Sequence, residues 1–257
     1  MDTTPSNPII KRLPYNIGSG VGERARIGLL VLESDQTIEE EFRLLATLPG
    51  VSIYHARLEN GADVTTEMLS QMEEQIPKTA RLLPSYLGIK AIGYGCTSGS
   101  TVIGERRVEE ILSEAHKGVP STNPLSAAKA ALKIMGVKRL GLITPYSPNI
   151  TSAMQRNFNK ANLQVTIVGS YFEESDINVG RIDEDSIFNA VISIGESDKC
   201  DGVFISCTSL RAAKIIEKAE KVINKPVTSS NHALAWHLLR LAGIEDTISS
   251  FGSLFSK

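Results

Sequence analysis

The chain has 257 residues, with 27 basic against 29 acidic side chains, a formal charge of −2, 42% apolar residues and 22% charged ones. This balance is that of an ordinary soluble globular protein and excludes a disordered or fibrous one; without a basic surplus to displace counterions from phosphates, no nucleic-acid partner is expected. Length alone predicts two compact units at roughly 150 residues each.

Residues 1–21 hold Pro5, Pro8 and Pro14 and no apolar run of signal-peptide length, so they read as an N-terminal arm. No stretch approaches the roughly 18 consecutive apolar residues of a spanning helix, and no membrane association is expected. Cys96, Cys200 and Cys207 are too few, and odd in number, for a disulfide framework. A reducing, cytoplasmic location is the expectation.

Beyond the arm, the pattern alternates. An apolar run at Arg26–Leu32 predicts a strand, Thr37–Leu48 has helical period, and strands follow at Val51–His55 and Ala91–Gly95. Helical stretches at Val108–His116 and Ser126–Met135 precede strands at Arg139–Thr144, Gln164–Val168 and Gly202–Ser206. A helix is predicted over Leu210–Ile223, and an apolar one over Ala233–Leu241 around Trp236. Short Val/Ile/Leu runs separated by crossover helices predict the α/β class, with mainly parallel sheets flanked by helices.

The chain also echoes itself. RIGLLVLESD from Arg26 resembles RLGLITPYSP from Arg139, and GYGCTSGS around Cys96 resembles FISCTSLR around Cys207. The two landmarks are 70 positions apart in the first copy and 68 in the second. A duplicated α/β unit is therefore expected, the first copy starting near residue 22 and the second near residue 122, where STNP supplies turn residues.

In each copy a Cys-Thr-Ser triplet follows a buried-type strand and precedes a helical stretch. Open α/β sheets bind ligands at such strand ends, and hydroxyls with free N–H groups at a helix start favour an anion. Thr97, Ser98, Thr208 and Ser209 are thus candidate carboxylate-binding residues in a cleft between the domains. The same field is expected to lower the thiol pKa of Cys96 and Cys207. Either cysteine alone could be a small buried hydrophobe. A core residue has no need of two hydroxyl neighbours, however, and here the arrangement occurs twice. Cys200, in ESDKCDG, lacks this context and reads as structural. His232 and His237 are spaced i, i+5, unlike an i, i+4 metal pair, and no GxGxxG or GxxxxGK[ST] fingerprint occurs. Neither a metal nor a nucleotide cofactor is expected.

Taken together, TIEEEFR, YGCTSGS, TNPLSA, LITPY, VGRI and FISCTSLR make the chain resemble the superfamily of cofactor-independent aspartate/glutamate racemases, maleate cis-trans isomerases and arylmalonate decarboxylases. It looks most like the maleate-isomerase-like proteins of ectoine utilisation. The resemblance implies two pseudosymmetric Rossmann-like domains, 22–121 plus 229–257 and 122–228, with one cysteine from each facing a small carboxylate or amino acid, no cofactor, and a homodimer or higher homo-oligomer. Cys96 would be the nucleophile or base and Cys207 its acid/base partner, with Tyr146 bonding a substrate carboxylate or enolate oxygen. Asn178 lies near a substrate-contacting asparagine of the family. Asp35 takes the place of another asparagine, and a carboxylate there would repel a dianion and attract an ammonium group or a hydroxyl. Decarboxylases of the superfamily carry glycine at the first cysteine position, so Cys96 favours an isomerase. An arylmalonate-type decarboxylase and a non-catalytic two-lobed binding protein are the alternatives.

Overall fold

The computed structural model describes residue 8 and residues 10–61 and 66–257; the remainder of the expected arm, residues 1–7 and 9, lies outside the described residues. From residue 10 to residue 20 the chain is exposed and carries no helix or strand.

Two sheets of four strands make up the frame. The first contains β1 (Ala25–Leu32), β2 (Val51–Leu58), β3 (Ala91–Gly95) and β4 (Ser121–Thr122), in the order β2-β1-β3-β4. The second contains β5 (Arg139–Thr144), β6 (Gln164–Ser170), β7 (Gly202–Ile205) and β8 (Val227–Ser229), in the order β6-β5-β7-β8. Every pairing is parallel. The echo in the sequence is thus an identity of strand order, with β1 and β5 equivalent and both cysteines beyond the strand next to them. Strands with a neighbour on each side and helices on both faces have little polar tolerance, and β3 and β7 are buried at every position.

The helices are α1 (Ile38–Leu45), α2 (Thr66–Ala80), α3 (Thr97–Ile103), α4 (Glu105–Ala115), α5 (Pro124–Ile134), α6 (Pro148–Lys160), α7 (Asp176–Val179), α8 (Glu184–Gly195), α9 (Ile216–Ile223) and α10 (Ser230–Leu241). Asn123 caps α5, its Oδ1 accepting the N–H groups of Leu125 and Ser126 at 3.1 Å. The C-terminal α10 is buried over most of its surface, Trp236 included, and returns to the first sheet. It lies so close to β3 that a Cβ on Gly93 would stand 2.8 Å from Leu238 Cδ1. Only glycine admits that approach.

Several expectations need correction. β2 runs three residues past His55 and β6 two past Val168, while β4 and β8 have no apolar run to announce them. The division placed between residues 121 and 122 falls inside β4, whose two residues pair with Ile92 and Gly93 of the first sheet. The helix predicted over Leu210–Ile223 starts only at Ile216. Leu210, Ala212 and Ala213 are buried all the same, as parts of a packed loop whose apolar spacing imitates a helix.

Candidate active site

At the end of β3, Cys96 adopts an extended backbone and caps α3 with its own sulfur, Sγ accepting the Gly99 N–H at 3.2 Å. The cap is therefore the thiol, and not the hydroxyls of Thr97 or Ser98 as their side-chain chemistry suggested. Ser98 Oγ lies 3.6 Å from the same sulfur, and Ser100 Oγ donates to the Cys96 carbonyl at 2.6 Å. Gly99 has no room for a side chain: a Cβ would meet Tyr94 Oη at 2.5 Å and Cys96 Sγ at 3.0 Å.

The second triplet is built differently. No helix follows Cys207, which takes φ of 138°, a conformation L-residues rarely adopt. Such backbone costs on the order of 1–3 kcal/mol and persists where surrounding bonds determine it. Here the Cys207 N–H donates to Ser230 Oγ at 3.0 Å, and Ser230 Oγ also accepts the Thr97 hydroxyl at 2.8 Å. One serine at the start of α10 thus ties both cysteine loops together. The Thr208 carbonyl accepts Asn231 Nδ2 at 2.7 Å, and the same nitrogen donates to Glu41 Oε2 at 2.8 Å. Glu41 Oε1 accepts the Ala213 N–H at 2.6 Å, and Thr37 Oγ1 donates to the Ser209 carbonyl at 2.9 Å. Helix α1 of the first half therefore fixes the Cys207 loop of the second.

Both triplets open onto one small cavity of about 20 Å³, lined by Cys96, Thr97, Ser98, Tyr146, Cys207 and Thr208 among the residues singled out in the sequence. Leu32, Met68, Leu69 and Met72 supply its apolar wall. Tyr146 and Tyr94 present buried hydroxyls without a hydrogen-bond partner of good geometry. Burial and the neighbouring Cys207 sulfur push the Tyr146 phenol well above its usual range, and burial and Cys96 do the same to Tyr94.

The thiols run against the electrostatic expectation. Burial raises the Cys96 pKa to about 11, although Ser98 and the Gly99 N–H pull it down. Burial also raises that of Cys207, Asp176 pushes further in the same direction, and the Ser209 N–H and Tyr146 oppose both. Desolvation outweighs the donors because both cysteines are almost fully buried.

Three of the sequence-selected residues do not line this chamber. Asp35 is buried beside it but caps α1, Oδ1 accepting the N–H groups of Thr37 at 2.7 Å and Ile38 at 2.8 Å; burial raises its pKa to about 6. Ser209 stands behind the wall, donating to Asp176 Oδ1 at 2.7 Å. Asn178 is exposed, its amide 3.4 Å from Glu173 Oε2. Its place is taken two residues earlier by Asp176, which opens α7, is 6% exposed and lines the cavity. Asp176, Asn60, Ser230 and Glu41 were not anticipated. The helical period that would bury Asp176 instead of Asn178 is carried by only four residues, Asp176–Val179, too few to read from sequence. Among the described residues, no group of three or more His, Cys, Asp and Glu is disposed to hold a metal ion, and no helix is long and apolar enough to cross a membrane.

A family model described as arylmalonate decarboxylase matches residues 46–255. The chain is 22% identical to a maleate isomerase of Geobacillus stearothermophilus over 244 residues, covering 90% of this chain and 97% of that one. It is 27% identical to an arylmalonate decarboxylase of Bordetella bronchiseptica over 127 residues, covering 49% of this chain and 53% of that one. Among solved structures, a cysteine-to-serine mutant of Nocardia farcinica maleate cis-trans isomerase with a covalently bound succinylcysteine intermediate superimposes with a TM-score of 0.82 at 23% identity, covering 90% of this chain and 98% of that one. A Pseudomonas putida S16 maleate isomerase mutant with maleate gives 0.81 at 20% identity, with 90% and 97% covered.

Proposed function

We propose that this chain, which belongs to the arylmalonate decarboxylase family, is a cofactor-independent isomerase that acts on a small carboxylate or amino acid with Cys96 and Cys207. The observation that carries this reading is that the two sulfurs, 111 positions apart along the chain, open onto one cavity from equivalent ends of two equivalent sheets. The decarboxylase alternative needs a single thiol to return a proton, and leaves the opposed Cys96 without a task.

The difference in donors around the two thiols supports a division of roles. Cys96 has the Gly99 N–H and Ser98 as donors and ionises more readily, so it is the base or nucleophile. Cys207 stays protonated more strongly and is the acid. Burial disfavours the Cys96 thiolate at neutral pH. That cost is offset only when a bound substrate brings positive charge or hydrogen-bond donors near the sulfur. In the forward direction the Cys96 thiolate removes the proton next to the substrate carboxylate, and the electron pair spreads onto the carboxylate oxygens. The unpartnered Tyr146 hydroxyl is the donor available for that developing charge. Cys207 then delivers its proton to the opposite face, so the pair ends with thiol and thiolate exchanged.

The test is substitution of each thiol. C96S and C207S should each abolish turnover and deuterium uptake at the substrate carbon while leaving the circular dichroism and melting of the fold unchanged. Wild-type activity in either variant would end the two-thiol mechanism.

A further inference from the structure

Asp176 is the one charged side chain among the described residues that line the cavity. It is almost fully buried, and no lysine, arginine or histidine among the described residues forms an ion pair with it. Two serines hold it: Ser34 Oγ donates to Oδ2 at 2.5 Å and Ser209 Oγ to Oδ1 at 2.7 Å. Asn60 in turn fixes Ser34, its Nδ2 donating to Ser34 Oγ at 3.0 Å and its Oδ1 accepting the Ser34 N–H at 3.2 Å. The carboxylate is thus oriented by both halves of the molecule, and it lines the same cavity as both sulfurs. The two hydroxyls satisfy one site on each carboxylate oxygen, but no cation among the described lining residues balances a negative charge there.

We propose that Asp176 determines the specificity of this cavity, and that the substrate carries an ammonium group beside its carboxylate: an amino acid and not a dicarboxylate. This deepens the isomerase reading and, for its chemistry, rests on it. A dianion such as maleate would meet a carboxylate and no cation among the described lining residues. An amino acid places its ammonium group against Asp176, where it supplies the missing counter-charge. Since Asp176 lines the same cavity as both sulfurs, a group it holds shares that space with the carbon on which they act, which is where an α-ammonium belongs. Its neutralisation by the ligand also removes a repulsion that opposes ionisation of either thiol, so the correct substrate makes its own base. The step then balances as a 1,1-proton transfer. Cys96 takes the α-proton, the bond electrons move onto the carboxylate, Cys207 protonates the other face, and the amino group stays throughout.

Binding and chemistry can be tested apart. In the C96S/C207S double variant, where no turnover competes, ligand-induced melting shifts and calorimetry would compare amino acids with the same skeletons lacking the amino group: alanine with propionate, aspartate with succinate, glutamate with glutarate, and maleate alone. At least one amino acid should bind tenfold or more tightly than its deaminated partner, and adding D176N should remove that preference. Maleate or a deaminated acid binding as well as every amino acid, no member of any pair binding, or a preference that survives D176N would each overturn the proposal. Proton exchange in deuterated water with the wild-type chain reports on the isomerase reading separately. Selective amino-acid binding without exchange sinks that reading and leaves the charge assignment standing. Turnover of maleate with no amino acid exchanged does the reverse.

Discussion

Replacing Glu41 by glutamine should flatten the fall in stability between pH 4 and pH 8. Glu41 is buried between α1 and the Cys207 loop, and burial raises its pKa from 4.5 to about 7 against the pull of Ala213 and Asn231. A carboxyl group raised in this way contributes most to stability below 4.5, where folded and unfolded chains are both protonated. That contribution is lost as pH rises through about 7, because only the unfolded chain ionises freely in between. At about 1.4 kcal/mol per pH unit, the loss between pH 4 and pH 8 is about 3 kcal/mol. Asp35, raised to about 6, adds a loss of about 3 kcal/mol in the same direction, so the wild-type chain should weaken by about 6 kcal/mol and E41Q by about half of that. Glutamine keeps an acceptor for the Ala213 N–H but turns a donor towards Asn231, a penalty that does not depend on pH. The comparison of slopes therefore isolates the titration. Urea unfolding of both chains across this range measures it, and an E41Q slope equal to that of wild type would refute the assignment.

G99A should lower stability by about 1–3 kcal/mol and lose at least tenfold in turnover of the folded fraction, because the added methyl group displaces Tyr94 Oη or the Cys96 sulfur from positions 2.5 and 3.0 Å away; exchange assays below the variant's melting temperature would show it. S230A removes the acceptor shared by Thr97 and Cys207, and should cost about 1–3 kcal/mol in denaturant titrations together with a drop in kcat. Full activity in S230A would mean that the two cysteine loops need no common anchor.

The strands that could be read in advance are those whose burial dictates their composition. Ala91–Gly95 and Arg139–Thr144 have the bounds that their apolar runs suggest. β4 and β8 are Ser-Thr and Val-Thr-Ser, held by neighbouring strands and not by their own propensity, so no local signal marks them. Duplication made the cysteine positions legible, since a repeated triplet stands out where a single one does not. What it hid is the asymmetry between copies: the first triplet starts a helix, whereas the second enters a loop whose shape depends on Glu41, Asn231 and Ser230, all remote in sequence. The electrostatic balance at the thiols was out of reach for the same reason. A helix start can be read from a few residues, but desolvation depends on walls contributed by the whole chain.

The backbone at Cys207 sets a limit on how far this chain could be stabilised without loss. Glycine is the one residue that would relax a φ of 138° at no steric penalty, and glycine has no sulfur. Any drift towards a more comfortable conformation at this point must either surrender the proton donor or turn it away from the chamber. The tension is therefore a standing charge on the fold, carried for as long as the second thiol is kept.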